Sequence, residues 1–466
     1  MSVLRIEVPE SRRAEREYAA RLLVETCLGL ACQVESTNRT DTLIHAGDPA
    51  SASVRVADGL LGVPADDWLT ERSLPPGPIL RWDASALVGA ECAWGHAVPV
   101  LYTAAPRSGA WLTGGGLHQA CRADLFGSAF FMATRYEEHV LTDRDAHGRF
   151  PGSASLAARE GFLERPVVDE WADVLGALLR AVWPGLPSPD RRYGVRPTHD
   201  VDRALREFGH AGAGRNALRQ AWQTRTLTPM ARWLQFERGQ PGVDDYDQFS
   251  FLMDASERSG LQSEFYFQGY CTSPGLDAEY RLDSPFMQRT LRRIQARGHR
   301  IGIHPGYGAP RDPQEIVSRT LANVRYFASK AGVRQELWGG RHHYLRWMGS
   351  SSWRAWQDAG LDYDSSVGFA DLPGFRCGLC REFPVFDLLA GAPLRLRERP
   401  LVAMDATLTW HLGLSRAAVA DRLSALAAAC RQHGGEFVFL WHNSRLQSDV
   451  DRSHYSEVVQ RVAGHG

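Results

Sequence analysis

Two aspartates stand one residue apart in Thr198-His199-Asp200-Val201-Asp202, and four other segments end an apolar run on histidine, arginine or aspartate. On an extended backbone residues i and i+2 face the same way, so Asp200 and Asp202 can look into one space. Neighbouring carboxylates repel unless a cation or a shared proton relieves them. Alone, Asp-x-Asp reads as a solvated turn or a helix cap. Joined to histidines from other segments, it reads as a divalent-metal site. His304 closes Arg300-Ile301-Gly302-Ile303-His304 just where Pro305-Gly306-Tyr307 turns the chain, a place that also suits a capping histidine.

Trp338-Gly339-Gly340-Arg341-His342-His343-Tyr344 sets a guanidinium and two imidazoles behind a flexible glycine pair. Arginine does not ligate a metal, but it pins a carboxylate in a charge-assisted pair. Adjacent side chains on an extended chain point to opposite faces, so one of His342 and His343 can serve an ion while the other packs or meets solvent. Phe437-Val438-Phe439-Leu440-Trp441-His442 delivers a histidine suited to proton transfer, with Asp405 as the carboxylate to orient it. A satisfied histidine at the edge of the core is the plainer reading of His442. Cys377-Gly378-Leu379-Cys380 has no second cysteine pair to complete a zinc site and reads as a loop with two free thiols.

Strand-like segments position these residues: Gly194–His199, Ser263–Gln268, Arg300–His304, Glu336–Gly340, Leu361–Asp364, Pro400–Asp405 and Phe437–His442. Helical stretches separate most of them. The clearest begins at Asp312 as N-cap, with Pro313 at the first helical position and Glu315 completing a capping box, and stops at Gly332. Seven βα-like units in succession predict a parallel α/β barrel, complete or not. In such barrels the strand C-terminal ends form the rim that carries the active site. Asp200, Asp202, His304, Arg341, His343, Asp405 and His442 all fall there.

The earlier part differs in texture. Arg12 to Gly29 and Leu125 to Val140 read as helices, the second with Phe126, Phe130 and Tyr136 on an aromatic face. Asp143 to Ser155 reads as a loop, Val167 to Leu179 as a helix, and Pro184 to Asp190 as a linker. The division expected is an N-terminal domain over residues 1–185 and a barrel over residues 191–466.

The stretch from Gly194 to Ser444 resembles the polysaccharide deacetylase family, in the Asp-Val-Asp of Asp200–Asp202, in Gly298-His299-Arg300-Ile301-Gly302-Ile303-His304, in Arg341, in Asp405 and in Leu440-Trp441-His442. Upstream, Thr134-Arg135-Tyr136-Glu137-Glu138, His147-Gly148-Arg149-Phe150-Pro151 and Phe162-Leu163-Glu164-Arg165-Pro166 resemble a domain of unknown function. That domain precedes the deacetylase domain in a bacterial subfamily associated with surface-polysaccharide genes. The resemblance implies a distorted (β/α) barrel of about seven strands, preceded by a smaller α/β or α+β domain. It implies removal of acetyl groups from N-acetylated sugars or sugar conjugates with zinc or a similar divalent ion, iron, cobalt and nickel included.

Asp202 and His304 then become metal ligands, Asp200 the general base with Arg341 orienting it, and His442 the acid with Asp405 behind it. Tyr307, Trp338 and Arg376 are expected at the substrate. The family supplies a second histidine four residues after the first, and here that position is Gly308. His343 is the candidate replacement. A non-sugar amide would use the same residues, and a catalytically inactive sugar-binding relative would account for Gly308.

The bulk numbers are those expected of a soluble globular protein with a sizeable core. The 466 residues are 44% hydrophobic and 23% charged, with a net charge of −1, which offers no global field for nucleic acid or for an anionic membrane. Met1 to Leu30 carries Glu7, Glu10, Arg12, Arg13, Glu15 and Arg16 and lacks the apolar core of a signal peptide, so a cytoplasmic protein with no membrane span is expected. Its partner is expected to be a small-molecule or oligosaccharide substrate.

Overall fold

The computed structural model describes residues 3–89, 97–103, 110–209 and 212–464. Its first part is built on a six-stranded mixed sheet of β1 (Leu4–Pro9), β2 (Cys32–Thr37), β3 (Thr42–His45), β4 (Ser53–Val56), β7 (Leu112–Gly115) and β8 (His118–Cys121), in the order β2-β1-β3-β4-β8-β7. A two-stranded ribbon, β5 (Leu80–Trp82) with β6 (Val98–Val100), lies beside it in sequence. The helix expected over Arg12 to Gly29 begins at Arg13 and widens into a π-type turn over Leu22–Cys27. The helix expected over Leu125 to Val140 is two, Leu125–Ala133 and Tyr136–Val140. They break at Arg135, whose backbone is left-handed at φ 56°. That break lets the Arg135 guanidinium turn back to Glu137 and Glu138, each at 2.8 Å.

The second part is a nine-stranded sheet in the order β14-β15-β13-β12-β11-β10-β9-β17-β16. Its strands are β9 (Gly194–Val201), β10 (Glu264–Phe267), β11 (Arg300–Ile303), β12 (Gly339–Gly340), β13 (Tyr363–Asp364), β14 (Phe383–Asp387), β15 (Ala392–Glu398), β16 (Ala403–Met404) and β17 (Glu436–Leu440). All neighbours pair in parallel except β14 with β15. The seven expected strands are therefore present, several of them shorter than expected, and β14 and β15 raise the count to nine. Pro384 lies on the edge strand β14, and Pro393 lies near the start of β15, outside the two residues that pair with β13, so both prolines are tolerated. The terminal strands β14 and β16 are not hydrogen-bonded to each other, so the sheet is barrel-like in its parallel order without a closing ladder.

Register explains why scattered residues meet. Val201, Phe267 and Ile303 align across β9, β10 and β11, and the same level continues to Gly340, Asp364 and Glu398. On the other flank Leu440 aligns with Thr198 and Met404. The residues that follow these positions, Asp202, His304, Arg341, Asp405 and His442, must therefore share one rim. The glycine pair of β12 is not a flexible hinge, as its sequence suggested. Both glycines are buried; a Cβ on Gly340 would lie 1.9 Å from the Ile303 carbonyl oxygen, and one on Gly339 would lie 2.4 Å from the Tyr363 ring. Only glycine lets β12 approach so closely.

Helices cover the sheet through apolar faces. In Pro313–Lys330, Asp312 accepts the Glu315 N–H at 3.1 Å, and Ile316, Val317, Thr320, Leu321, Val324 and Ala328 turn inward. One contiguous apolar core runs through both parts of the chain. No helix among the described residues is long and apolar enough to cross a membrane.

Candidate metal centre and active site

Asp202 Oδ1 lies 3.2 Å from His304 Nε2 and 3.2 Å from His343 Nε2. Each imidazole is held from behind through its other nitrogen. His304 Nδ1 is 2.7 Å from the Arg341 carbonyl oxygen, and His343 Nδ1 is 3.0 Å from Asp277 Oδ1. With Nδ1 donating in both rings, the Nε2 lone pairs are left to face the carboxylate. Carboxylate–histidine and carbonyl–histidine pairs of this kind orient metal ligands. Asp202 Oδ1 and His304 Nε2 are buried and have no hydrogen-bond partner. Acceptor atoms gathered this way are costly unless a cation sits among them. Ligands about 2.0–2.2 Å from a tetrahedral zinc ion lie roughly 3.4 Å apart, so the observed spacings fit such an ion.

The surrounding charge favours the same outcome. Burial opposes charge on His343, yet Asp202 and Asp277 on either side raise its pKa to about 9. Burial likewise works against the Asp202 carboxylate, and the neighbouring histidines hold it well below the ordinary carboxylate range. The pocket is one that stabilises positive charge.

Asp277 was not foreseen from the sequence. It follows β10 in an irregular stretch, and its carboxylate also accepts the N–H groups of Thr272, Ser273 and Tyr307. Beyond His343 the chain passes through Tyr344 and Leu345 with φ of 60° and 54°, a left-handed conformation that bulky residues rarely adopt. Such strain persists where surrounding contacts fix it, and here it accompanies the presentation of His343. His342 goes the other way: its Nε2 accepts the Trp356 indole N–H at 2.7 Å, and burial lowers its pKa to about 3. At Gly308, a Cβ would meet the Thr272 side chain at 2.9 Å.

Asp200 is 3% exposed, and its Oδ1 accepts from Arg341 Nη1 at 2.9 Å. Arg341 is itself fixed by the Ser365 carbonyl oxygen and hydroxyl and by Thr198 Oγ1. The second oxygen of Asp200 lies 3.9 Å from His304 Nε2, farther than that of Asp202. Across the pocket, His442 Nε2 is 3.5 Å from Asp202 Oδ2. Asp405 accepts both the His442 Nδ1–H at 2.7 Å and its backbone N–H at 2.9 Å. Burial disfavours the imidazolium, but the Asp405 carboxylate outweighs it and raises the His442 pKa to about 9.

The three residues expected at the substrate part company. Tyr307 is on the rim, its N–H on Asp277 and its hydroxyl 3.1 Å from His147 Nδ1. His147 and Arg149 belong to the first part of the chain, and Arg149 donates to the Tyr344 carbonyl at 2.9 Å. Trp338 precedes β12 and is therefore at the opposite end of the sheet, 6% exposed, with its indole N–H on the Gln335 carbonyl at 3.2 Å. Arg376 is buried, with its guanidinium on both Glu138 oxygens, at 2.9 and 2.5 Å, and on the Gly368 carbonyl. Neither Trp338 nor Arg376 reaches the site. Burial would raise the Glu138 pKa, but Arg376 and Arg135 pull it down to about 2. Removing Arg376 takes two charge-assisted hydrogen bonds from the buried Glu138 carboxylate and leaves Arg135 to hold it, so Arg376→Ala should cost about 1–3 kcal/mol in urea unfolding. Cys377 and Cys380 are buried free thiols in an irregular segment.

Residues 4–184 match a family of unknown function, DUF7033. No curated protein matches the chain. Solved structures that are similar in part include these two. A protein from Mycobacterium smegmatis, provisionally named a polysaccharide deacetylase, aligns at 18% identity over 60% of this chain and 87% of its own, with a TM-score of 0.37. A family 4 carbohydrate esterase from Streptomyces lividans, in complex with acetate, aligns at 12% identity over 59% of this chain and 90% of its own, with a TM-score of 0.30. Likeness at this level does not bear on the chemistry, which rests on the residues themselves.

Proposed function

We propose that the chain is a metal-dependent hydrolase that removes an acetyl group from an N-acetylated sugar or sugar conjugate. The observation that carries this reading is the trio Asp202, His304 and His343, with ligand atoms within 4.8 Å of one another and two of them buried without partners. This donor set suits zinc, with iron, cobalt or nickel as alternatives. A divalent ion held there would supply Lewis acidity toward the amide carbonyl and a bound water of lowered pKa.

The protein supplies the proton transfers. Asp200, held in place by the Arg341 guanidinium, takes a proton from the attacking water as its oxygen bonds to the acetyl carbon. His442, kept protonated by Asp405, gives a proton to the sugar nitrogen as the carbon–nitrogen bond breaks. Acetate and a free amine are the products. The sugar assignment is supported by the resemblance of the five motifs, while the site geometry supports amide hydrolysis.

The test is release of acetate from acetylated nucleotide sugars, lipid-linked sugars and oligosaccharides, with and without added zinc. Metal-stimulated release from at least one class is expected. Bound metal without release from any would transfer the reading to a non-sugar amide. Failure to bind metal would leave a non-catalytic protein.

A further inference from the structure

Four large apolar side chains stand exposed on a segment that the metal centre does not use. The segment leaves β9 after Val201, forms the helices Ala213–Thr224 and Thr228–Glu237, packed as a hairpin, and ends at the helix Phe249–Arg258. Its base is fixed. Asp244 accepts the N–H groups of Arg206, Glu207 and Phe208, and Asn443, next to His442, donates to the carbonyls of Arg203 and Tyr246. A connection that leaves the C-terminal end of β9 starts on the rim that carries Asp202 and His442.

The first helix buries Ala213, Ala217 and Ala221, one face at a four-residue spacing. Away from that face Leu218 is 62% and Trp222 83% exposed, and at the tip Leu227 is 81% exposed. Leu234, on the second helix, is 43% exposed. Leu218 and Trp222 stand four residues apart on one helix and so share a face, and several large exposed apolar groups on one short hairpin are more than singly scattered surface residues.

The charge around them is one-sided. Residues 213–238 contain Arg215, Arg219, Arg225, Arg232 and Arg238 against the single acid Glu237, in a chain whose net charge is −1. Arg232 turns to Glu207 and Asp245. The other four arginines make no ion pair among the described residues. Tryptophan and leucine bordered by arginine on a helix suit the boundary between lipid headgroups and acyl chains. A second copy of the chain fits this face poorly, because a two-fold contact would set one arginine cluster against another.

We propose that this hairpin docks the protein on an anionic lipid surface, with Trp222 and Leu227 entering the headgroup layer and the rim of the nine-stranded sheet held at the membrane. The proposal is independent of the reaction assigned to the site.

Flotation of the full-length protein with phosphatidylglycerol and phosphatidylcholine vesicles tests it. At low salt (about 50 mM), binding to phosphatidylglycerol vesicles should exceed binding to phosphatidylcholine at least about tenfold and should fall as salt is raised. Trp222→Ser combined with Leu227→Ser should lower it about tenfold or more. Arg219→Glu combined with Arg225→Glu should lower it by about 25-fold, near fivefold for each arginine. All four positions are exposed, so circular dichroism and metal content should match the parent protein. Absence of binding at low salt, or equal binding by parent and variants, overturns the proposal. So does a dimer in sedimentation that the Trp222→Ser, Leu227→Ser change converts to a monomer, since the face then covers a second copy.

Discussion

Asp200→Asn is expected to lower turnover by about 10²- to 10⁴-fold while the bound metal stays unchanged, the range a positioned general base contributes. The substitution keeps the shape of the side chain and removes its capacity to accept a proton. Arg341 is 0% exposed and holds Asp200 from behind, so the carboxamide would occupy nearly the same place. Metal should remain because Asp202 Oδ1, at 3.2 Å from both imidazoles, is the carboxylate oxygen that shares the ligand space. Single-turnover acetate release and metal analysis on the same preparation decide the matter. Coincident loss of metal and activity would make Asp200 a ligand and leave the base to be found elsewhere.

The second large effect separates two neighbours. His343→Ala should weaken metal binding by more than about 100-fold, since removing even a group that hydrogen-bonds to a ligand costs roughly 10- to 100-fold. His342→Ala should leave metal affinity within about twofold, because its ring does not face the ligand cluster; its cost should instead be about 1–3 kcal/mol of stability, from the Trp356 indole N–H left without its acceptor. Competition with a metallochromic indicator gives the affinities, and urea unfolding gives the stabilities. Metal loss in the His342 variant alone would reverse the assignment. No change in either would remove the third ligand from the site.

The sequence carried much of this and concealed the rest for physical reasons. Strand periodicity placed Asp202, His304, Arg341, Asp405 and His442 at strand ends, and parallel register alone then brings them together. Alternation across an extended backbone allowed only one of His342 and His343 to face Asp202 and His304. Asp277 left no mark, since an aspartate in an irregular stretch is identical in sequence to any solvated one. Arg376 was misread for a related reason: its partner Glu138 lies 238 residues away, and nothing local to a Gly/Cys-rich loop announces burial. Trp338 stands close to Arg341 in sequence, but the intervening strand separates the two ends of the sheet. The β14–β15 hairpin was hidden by its prolines, Pro384 on the edge strand and Pro393 near the start of β15.

The Arg135–Glu138–Arg376 contact bears on how such a chain can be rearranged in evolution. Modules recombine freely when the surface between them is cheap to break. Here a left-handed arginine on one side donates to the Arg376 carbonyl, and Glu138 neutralises the Arg376 guanidinium, while Asp169 accepts the Cys380 N–H and Asp371 accepts the N–H of Gly152. Grafting the nine-stranded part of the chain onto a different upstream partner would leave Arg376 as an uncompensated buried charge. The two parts of the chain are therefore expected to be inherited together, with changes at Arg135, Glu138 and Arg376 arising in concert.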